Sequence, residues 1–386
     1  MKTQWDNFVQ QLNDQSLLRF ALTCARSQQE EQNAKSKIFM HICSTTGERL
    51  SSEVNITPNH TAWGGSCLSS DIGMRELPPG ASSTISLINI NAINEKGAKA
   101  KEAFLKQSFI IAYTTPYISH SFNGLYRPQA TSILIKPKDK MHLFGYKNVI
   151  DPYARRYKNQ ELYNFGDSEN VISCSRDPFL IKEGDEYHIF FAARYSKIFF
   201  ENLPTRIQEQ HYDTSTHTLK QKHVYDEEVN STIGHAISNN LIDWELMSPL
   251  TLPETASQFE LPCVIKKEDG LVITVVVSNG NVAVENPERG ERKFGTNQHY
   301  LSVFRINSTL SALRPGCVWS HCGETSKETC RLDRTYGTAF TSKDDSDVVF
   351  MSAFYLNDKF LTHVESLDKK DFPKNIPNEE IFKEGK

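Results

Sequence analysis

The chain has 386 residues, a net charge of −4 and a pI of about 6.3, and its acidic and basic residues are interleaved. With no basic stripe, nucleic acid and anionic membrane surfaces are excluded as partners. The length is enough to bury roughly 75% of the unfolded surface, so no disulfide or metal staple is required. Nowhere does the sequence hold the run of about eighteen apolar residues that a membrane span needs. Behind Lys2 there is no apolar h-region, so a Sec signal peptide is not expected. That leaves the cytoplasm or export by a signal-independent route.

In chain order, Trp5 to Arg26 reads as a helix: Phe8, Leu12, Leu17, Leu18, Ala21 and Leu22 fall mostly on one stripe, with no Gly or Pro between them. Residues 1–36 are expected to form a helical segment packed on the main domain. Residues 37–366 are expected to form that domain, and 367–386 a charged, Pro-containing tail. Beyond residue 37 short apolar runs alternate with turn residues, the all-β pattern. Glu95 to Lys106 is the exception, since its Ala, Lys and Glu content suits a short inserted helix.

A weak internal repeat organises the β region. Stretches beginning at Arg127, Arg176, Glu260 and Arg334 each carry a polar residue, a short extended segment, a Lys/Asp/Gly turn and an apolar strand. Each reads as a β-hairpin headed by a functional side chain, and the intervals suit one four-stranded blade apiece. With the strands predicted before Arg127 (residues 83–90 and 109–115), the expected architecture is an all-β, five-bladed β-propeller with an N-terminal helix. An irregular β-sandwich is the competing arrangement. It does not account for a polar residue at the head of each hairpin, whereas innermost propeller strands begin at the mouth of a shared channel.

Transfer at an acetal carbon needs two carboxyl groups flanking the scissile bond, one protonated and one ionised. Asp177 and Glu260 head two of the hairpins. Arg176 beside Asp177 is expected to keep it ionised, and Pro178 fixes extended chain before it. Glu260 lies among Phe259, Leu261 and Pro262, an apolar setting that favours a protonated general acid. Arg127, Arg334 and Tyr336, at hairpin heads, are candidate binders of substrate hydroxyls. His235 reads as a packed histidine rather than a ligand, and Asp151, which also precedes a proline, as a turn residue. No dinucleotide fingerprint, P-loop or HExxH is present, and the eight cysteines lack metal-ligand spacing. No cofactor or metal is expected, and the protein is expected to act as a monomer.

Several of these segments resemble glycoside hydrolase family 68, the levansucrases and related fructosyltransferases. Ile233 to Asn279 is similar to the family's G-x-A-x-S-x-D/N-L-x-x-W-E strand followed by its Glu-Arg-Pro motif. Arg176-Asp177-Pro178 resembles its Arg-Asp-Pro motif. Arg314-Pro315 and the turn at Tyr336 resemble its last blades. The resemblance implies retaining transfer or hydrolysis on sucrose or a related β-fructoside. Asp177 would be the transition-state stabiliser, Glu260 the acid/base, and Arg176 and Trp63 would help bind a small carbohydrate. The family's nucleophile lies in a first-blade Trp-Asp-x-x-Pro segment. The nearest match here is Trp63, followed by Gly64, so the nucleophile is either missing or supplied by Asp71 through a shifted register. The second-blade Trp-Ser/Ala-Gly segment is matched to Tyr126–Gln129, and Glu-Arg-Pro-His becomes Glu260-Leu261-Pro262-Cys263. Two further readings stay open: a catalytically degenerate sugar-binding propeller, and an inverting hydrolase of the family 43 type.

Overall fold

The computed structural model describes residues 2–14, 16–25, 35–44, 48–81, 83–87, 95–116, 129–165, 175–203, 230–252, 256, 258–278, 283–286, 291–294, 299–313, 317, 319–324, 338–343, 347–356 and 359–368. The first sheet is a simple meander of β1 (Lys2–Gln11), β2 (Leu17–Ala25), β3 (Lys37–Cys43) and β4 (Val54–Asn55). The second contains β5 (Trp63–Ser70), β6 (Ser83–Ser86), β7 (Ser108–Pro116), β8 (Gln129–Lys136) and β9 (His142–Ile150), in the order β5-β7-β8-β9-β6. The third is β10 (Arg176–Glu183), β11 (Glu186–Arg194), β12 (Ser231–Ser238) and β13 (Glu245–Leu246). In the fourth, β14 (Gln258–Lys267) and β15 (Gly270–Ser278) precede a separate two-stranded ribbon, β16 (Ala283–Asn286) with β17 (Glu291–Phe294). The sheet then resumes with β18 (His299–Ile306) and β19 (Ser320–Glu324). A three-stranded sheet of β20 (Thr338–Lys343), β21 (Asp347–Leu356) and β22 (Lys359–Asp368) follows.

The first strands of these sheets pack on one another in sequence. β5 lies against β1 and β10, β14 against β10 and β20, and β20 against β1. This arrangement is a β-propeller. The expectation of five full blades is corrected to four, because four sheets carry four or five strands and the sheet of β20–β22 carries three among the described residues. The boundaries between blades differ from the expectation as well. The hairpin after Arg127, β8–β9, pairs with β7 in the same sheet, so two expected blades are one.

The N-terminal helix is also corrected. β1 and β2 form an antiparallel pair, and β2 pairs in turn with β3, so this segment is half of the first blade. Leu17, Leu18, Phe20, Ala21 and Leu22 are all buried, because a blade is covered on both faces by its neighbours. A strand buried on both faces loses its alternation, and its apolar run cannot be told from a buried helix by period alone. The same two-sided burial runs along all of β8 and nearly all of β11.

The core accordingly forms layers between blades. One cluster joins Phe20, Met40 and Ile42 to Phe109 and Leu134; a second joins Ile133 and Tyr146 to Ile189 and Trp244. A third joins Phe190 and Ile233 to Ile273, Phe304 and Trp319. The inserted helix, α1 (Glu95–Lys106), lies where its composition placed it. Its end is held by the buried Lys136 of β8, whose Nζ donates to the carbonyls of Phe104, Leu105 and Gln107 at 2.6, 2.8 and 2.5 Å. A short α2 (Lys197–Glu201) is capped by Ser196, whose hydroxyl accepts from the Phe199 N–H. Among the described residues no helix is long and apolar enough to cross a membrane.

Gly65 shows how tightly the inner strands sit. A Cβ there would stand 2.0 Å from the carbonyl oxygen of Ala112 and 2.9 Å from Tyr113 Cα, both backbone atoms that cannot swing aside. Gly65→Ala should therefore push β5 off β7 and cost about 3 kcal/mol. Urea unfolding checks this, and a loss within about 0.5 kcal/mol of wild type would show that β5 and β7 are less closely apposed.

Candidate active site at the inner bulges

Four inner strands carry the same irregularity. The register slips between Trp5 and Phe8 in β1, between Trp63 and Gly65 in β5, between Arg176 and Phe179 in β10, and between Glu260 and Cys263 in β14. Such bulges bend a strand and re-aim side chains. By pairing, Arg176 corresponds to Glu260, Trp63 and Trp5, while Asp177 corresponds to Leu261, Gly64 and Asp6. Asp177 and Glu260 are therefore one position out of register with each other, yet they meet across the blade boundary.

Arg176 joins them. Its Nη2 donates to Glu260 Oε1 and, at 2.7 Å, to Gln258 Oε1, and its Nε lies 3.5 Å from Asp177 Oδ2. Asp177 is 6% exposed and Glu260 5%. The Asp177 N–H donates to Thr114 Oγ1 at 2.8 Å, and the same hydroxyl donates to the Gly64 carbonyl at 3.3 Å, so one β7 side chain pins two bulges. The Leu261 N–H approaches Asp177 Oδ2 at 3.4 Å. Ser66 Oγ donates to the Pro178 carbonyl and accepts from the Leu180 N–H, at 2.9 and 2.8 Å, locking β5 to β10.

Asp177 and Leu261 both have positive φ, 55° and 49°. Each precedes a proline, which makes the left-handed conformation unfavourable, at about 1–3 kcal/mol per residue. The equivalent Gly64 leaves space beside the carboxylate: a Cβ there would stand 3.0 Å from Asp177 Oδ1. A cation and a backbone N–H hold Oδ2, which leaves Oδ1, beside Gly64, suited to receive a ligand hydroxyl.

Burial outweighs the cation at Asp177. Desolvation raises its pKa to about 6, with Arg176 opposing and Glu260 adding to the rise. Arg176 favours the ionised form, as expected, but burial outweighs it, so Asp177 is ionised only above about pH 6. The apolar neighbours of Glu260 do not isolate it, because it accepts from Arg176.

Of the other candidates, Trp63 is at the start of β5, level with Arg176, and packs on the first core cluster. Asp71 is exposed just past the opposite end of β5, about seven residues and roughly 23 Å of extended chain from Gly64. The structure does not bring it to Asp177 and Glu260. Arg127, Arg334 and Tyr336 lie outside the described residues. Asp151 makes the expected turn, its Oδ1 accepting from the N–H groups of Tyr153 and Ala154 at 3.1 and 3.0 Å. His235 is buried and stacked on Phe190, as a packed histidine.

The sequence reading missed Asp6. Trp5-Asp6 is a Trp-Asp pair at the bulge of the first blade, in a segment read as helix from the sequence. The Trp-Asp dipeptide was the available signal, and the helical reading of residues 5–26 concealed it.

No family model and no curated protein matches this sequence. The fold does match solved structures and is that of the levansucrases and family 32 β-fructofuranosidases. B. subtilis levansucrase is 13% identical, with a TM-score of 0.52 over 95% of this chain and 84% of that one. Silkworm (Bombyx mori) GH32 β-fructofuranosidase is 10% identical with a TM-score of 0.52, and this chain spans 60% of its length. Sucrose-6-phosphate hydrolase from Lactobacillus gasseri is 11% identical with a TM-score of 0.53, over 95% of this chain and 59% of that one.

The raised Asp177 pKa has a signed consequence. Between about 4 and about 6 the folded protein keeps a proton that the unfolded chain releases, so Asp177's stabilising contribution falls as pH rises through this window. The stability of wild type relative to Asp177→Asn should therefore drop by up to about 3 kcal/mol between pH 4 and pH 6.5. Urea unfolding of both proteins across that range measures it. A difference independent of pH would mean that Asp177 titrates as an ordinary carboxylate.

Proposed function

We propose that this protein is a carbohydrate-active enzyme that transfers or hydrolyses the fructosyl group of sucrose or a related β-fructoside with retention. The observation that carries the reading is the pair of buried carboxylates, Asp177 and Glu260, held on neighbouring inner bulges by one arginine. Asp6, on the equivalent bulge of the first blade, supplies the third carboxylate that the chemistry needs. The fold shared with levansucrases and family 32 enzymes supports the substrate class, and a variant of the silkworm enzyme is known in complex with sucrose.

In this mechanism the Asp6 carboxylate attacks the anomeric carbon of the fructosyl group. Glu260 delivers a proton to the glycosidic oxygen, and glucose leaves. Glu260 then takes a proton from water or an acceptor sugar, whose oxygen displaces Asp6 and restores the starting configuration. Asp177, ionised above about pH 6, binds ring hydroxyls and offsets the positive charge of the oxocarbenium-like transition state. Arg176 positions Glu260 and Asp177, and Trp63 at the start of β5 contributes a wall for the sugar. Arg127, Arg334 and Tyr336 are proposed as additional hydroxyl binders on the strength of the family resemblance.

Incubation with sucrose should release glucose, and NMR should show fructose appearing first as the β anomer. Asp6→Asn, Asp177→Asn and Glu260→Gln should each lower kcat by about 10²–10⁴-fold. Binding without turnover in the wild type would identify a sugar-binding propeller. An initial α anomer would identify an inverting enzyme. Full activity in Asp6→Asn would remove the first-blade assignment.

A further inference from the structure

A second cavity lies between the third and fourth blades, at the end of the strands away from Arg176. Its volume is about 310 Å³, near the lower end of the range for small-ligand pockets. His188, on its wall, pairs with Ile181, five residues along β10 from Arg176, or roughly 16 Å of strand. The walls are tied together across the blades. Thr251 Oγ1 donates to the Cys317 carbonyl at 2.6 Å, and the Ser311 N–H donates to Glu183 Oε2 at 3.0 Å.

Three residues of the lining each carry a buried polar atom without a hydrogen-bond partner: His188 Nε2, Ser248 Oγ and Trp319 Nε1. His188 and Trp319 are each only 1% exposed. An unmet buried group costs about 1–3 kcal/mol, so three around one cavity call for an occupant. Their chemistry restricts it. Trp319 can only donate, and Ser248 can donate or accept. His188 Nδ1 shares one proton with His235 Nε2 at 3.0 Å, so His188 Nε2 donates or accepts according to tautomer. The Glu186 carboxylate, at the rim 4.0 Å from His188 Nε2, accepts. Burial lowers the pKa of both histidines, that of His235 to about 3, so both are neutral at neutral pH. The lining therefore offers mixed donors and acceptors and one negative charge. Leu250, Leu310 and Leu313 supply an apolar wall beside them.

We infer that this cavity is a second binding site, separate from the inner bulges, for a neutral polyhydroxylated ring of monosaccharide size. Hydroxyl groups meet donors and acceptors alike, the C–H face of such a ring lies on the leucines, and Glu186 turns away anions. Ordered water is the competing occupant.

The test is calorimetric titration of D-glucose and D-fructose, with D-gluconate as the anionic counterpart, into the full chain carrying Asp177→Asn and Glu260→Gln to disable the inner bulges. One saturable event is expected with at least one of the two sugars, and gluconate should bind at least tenfold more weakly. Adding Trp319→Phe or Ser248→Ala should weaken the binding about fivefold or more. The nitrogen shifts of the His188 ring should move on saturation, a readout that needs no substitution. Silence up to about 50 mM sugar with unmoved His188 shifts would leave water alone in the cavity and overturn the proposal. Binding unaffected by both substitutions would overturn it equally, as would gluconate binding as tightly as the sugars.

Discussion

Two carboxylates buried side by side repel each other, and in this propeller Arg176 makes their proximity tolerable. Its guanidinium reaches Glu260, Gln258 and Asp177, drawing the bulges of β10 and β14 to one point. Removing the arginine would leave two buried charges without a counterion, which costs far more than a surface pair yields. The residual tension shows at Asp177, where burial and the neighbouring glutamate hold the pKa up despite the cation.

The site is precise because its backbone is irregular at the same height in four inner strands. At the bulges of β5 and β10 the side chains of Thr114 and Ser66 take up backbone groups and brace the two blades against each other. The strained φ values of Asp177 and Leu261 are maintained by this cross-bracing. Loosening β7, which carries Thr114, should therefore reach the carboxylates without touching them. Closure of the ring matters for the same reason, since β1 must lie against both β5 and β20 to bring the first-blade bulge to the others.

Layered cores between blades also explain the second cavity. Phe190, Ile233 and Trp319 belong to the apolar layer between the third and fourth blades, and the second cavity lies beside it. His188 and Trp319, which both line that cavity, each keep a buried ring nitrogen without a hydrogen-bond partner. The propeller thus has inner positions governed by charge and outer ones governed by hydrogen bonding to neutral groups.

The all-β class, the helix at Glu95–Lys106 and the placing of Arg176, Asp177 and Glu260 near strand starts were determined by the sequence itself, because turn residues, local propensity and charged residues at strand starts are short-range signals. The tertiary structure alone decided three other features. Leu17–Leu22 is a strand because blades cover it on both faces, and that burial erases the period by which strands are recognised. The Arg127 hairpin belongs to the sheet of β7 because pairing is a long-range choice that local pattern does not encode. Asp6, rather than Asp71, shares a level with Asp177 because only the register of the bulges brings residues so far apart in sequence to the same height around the ring.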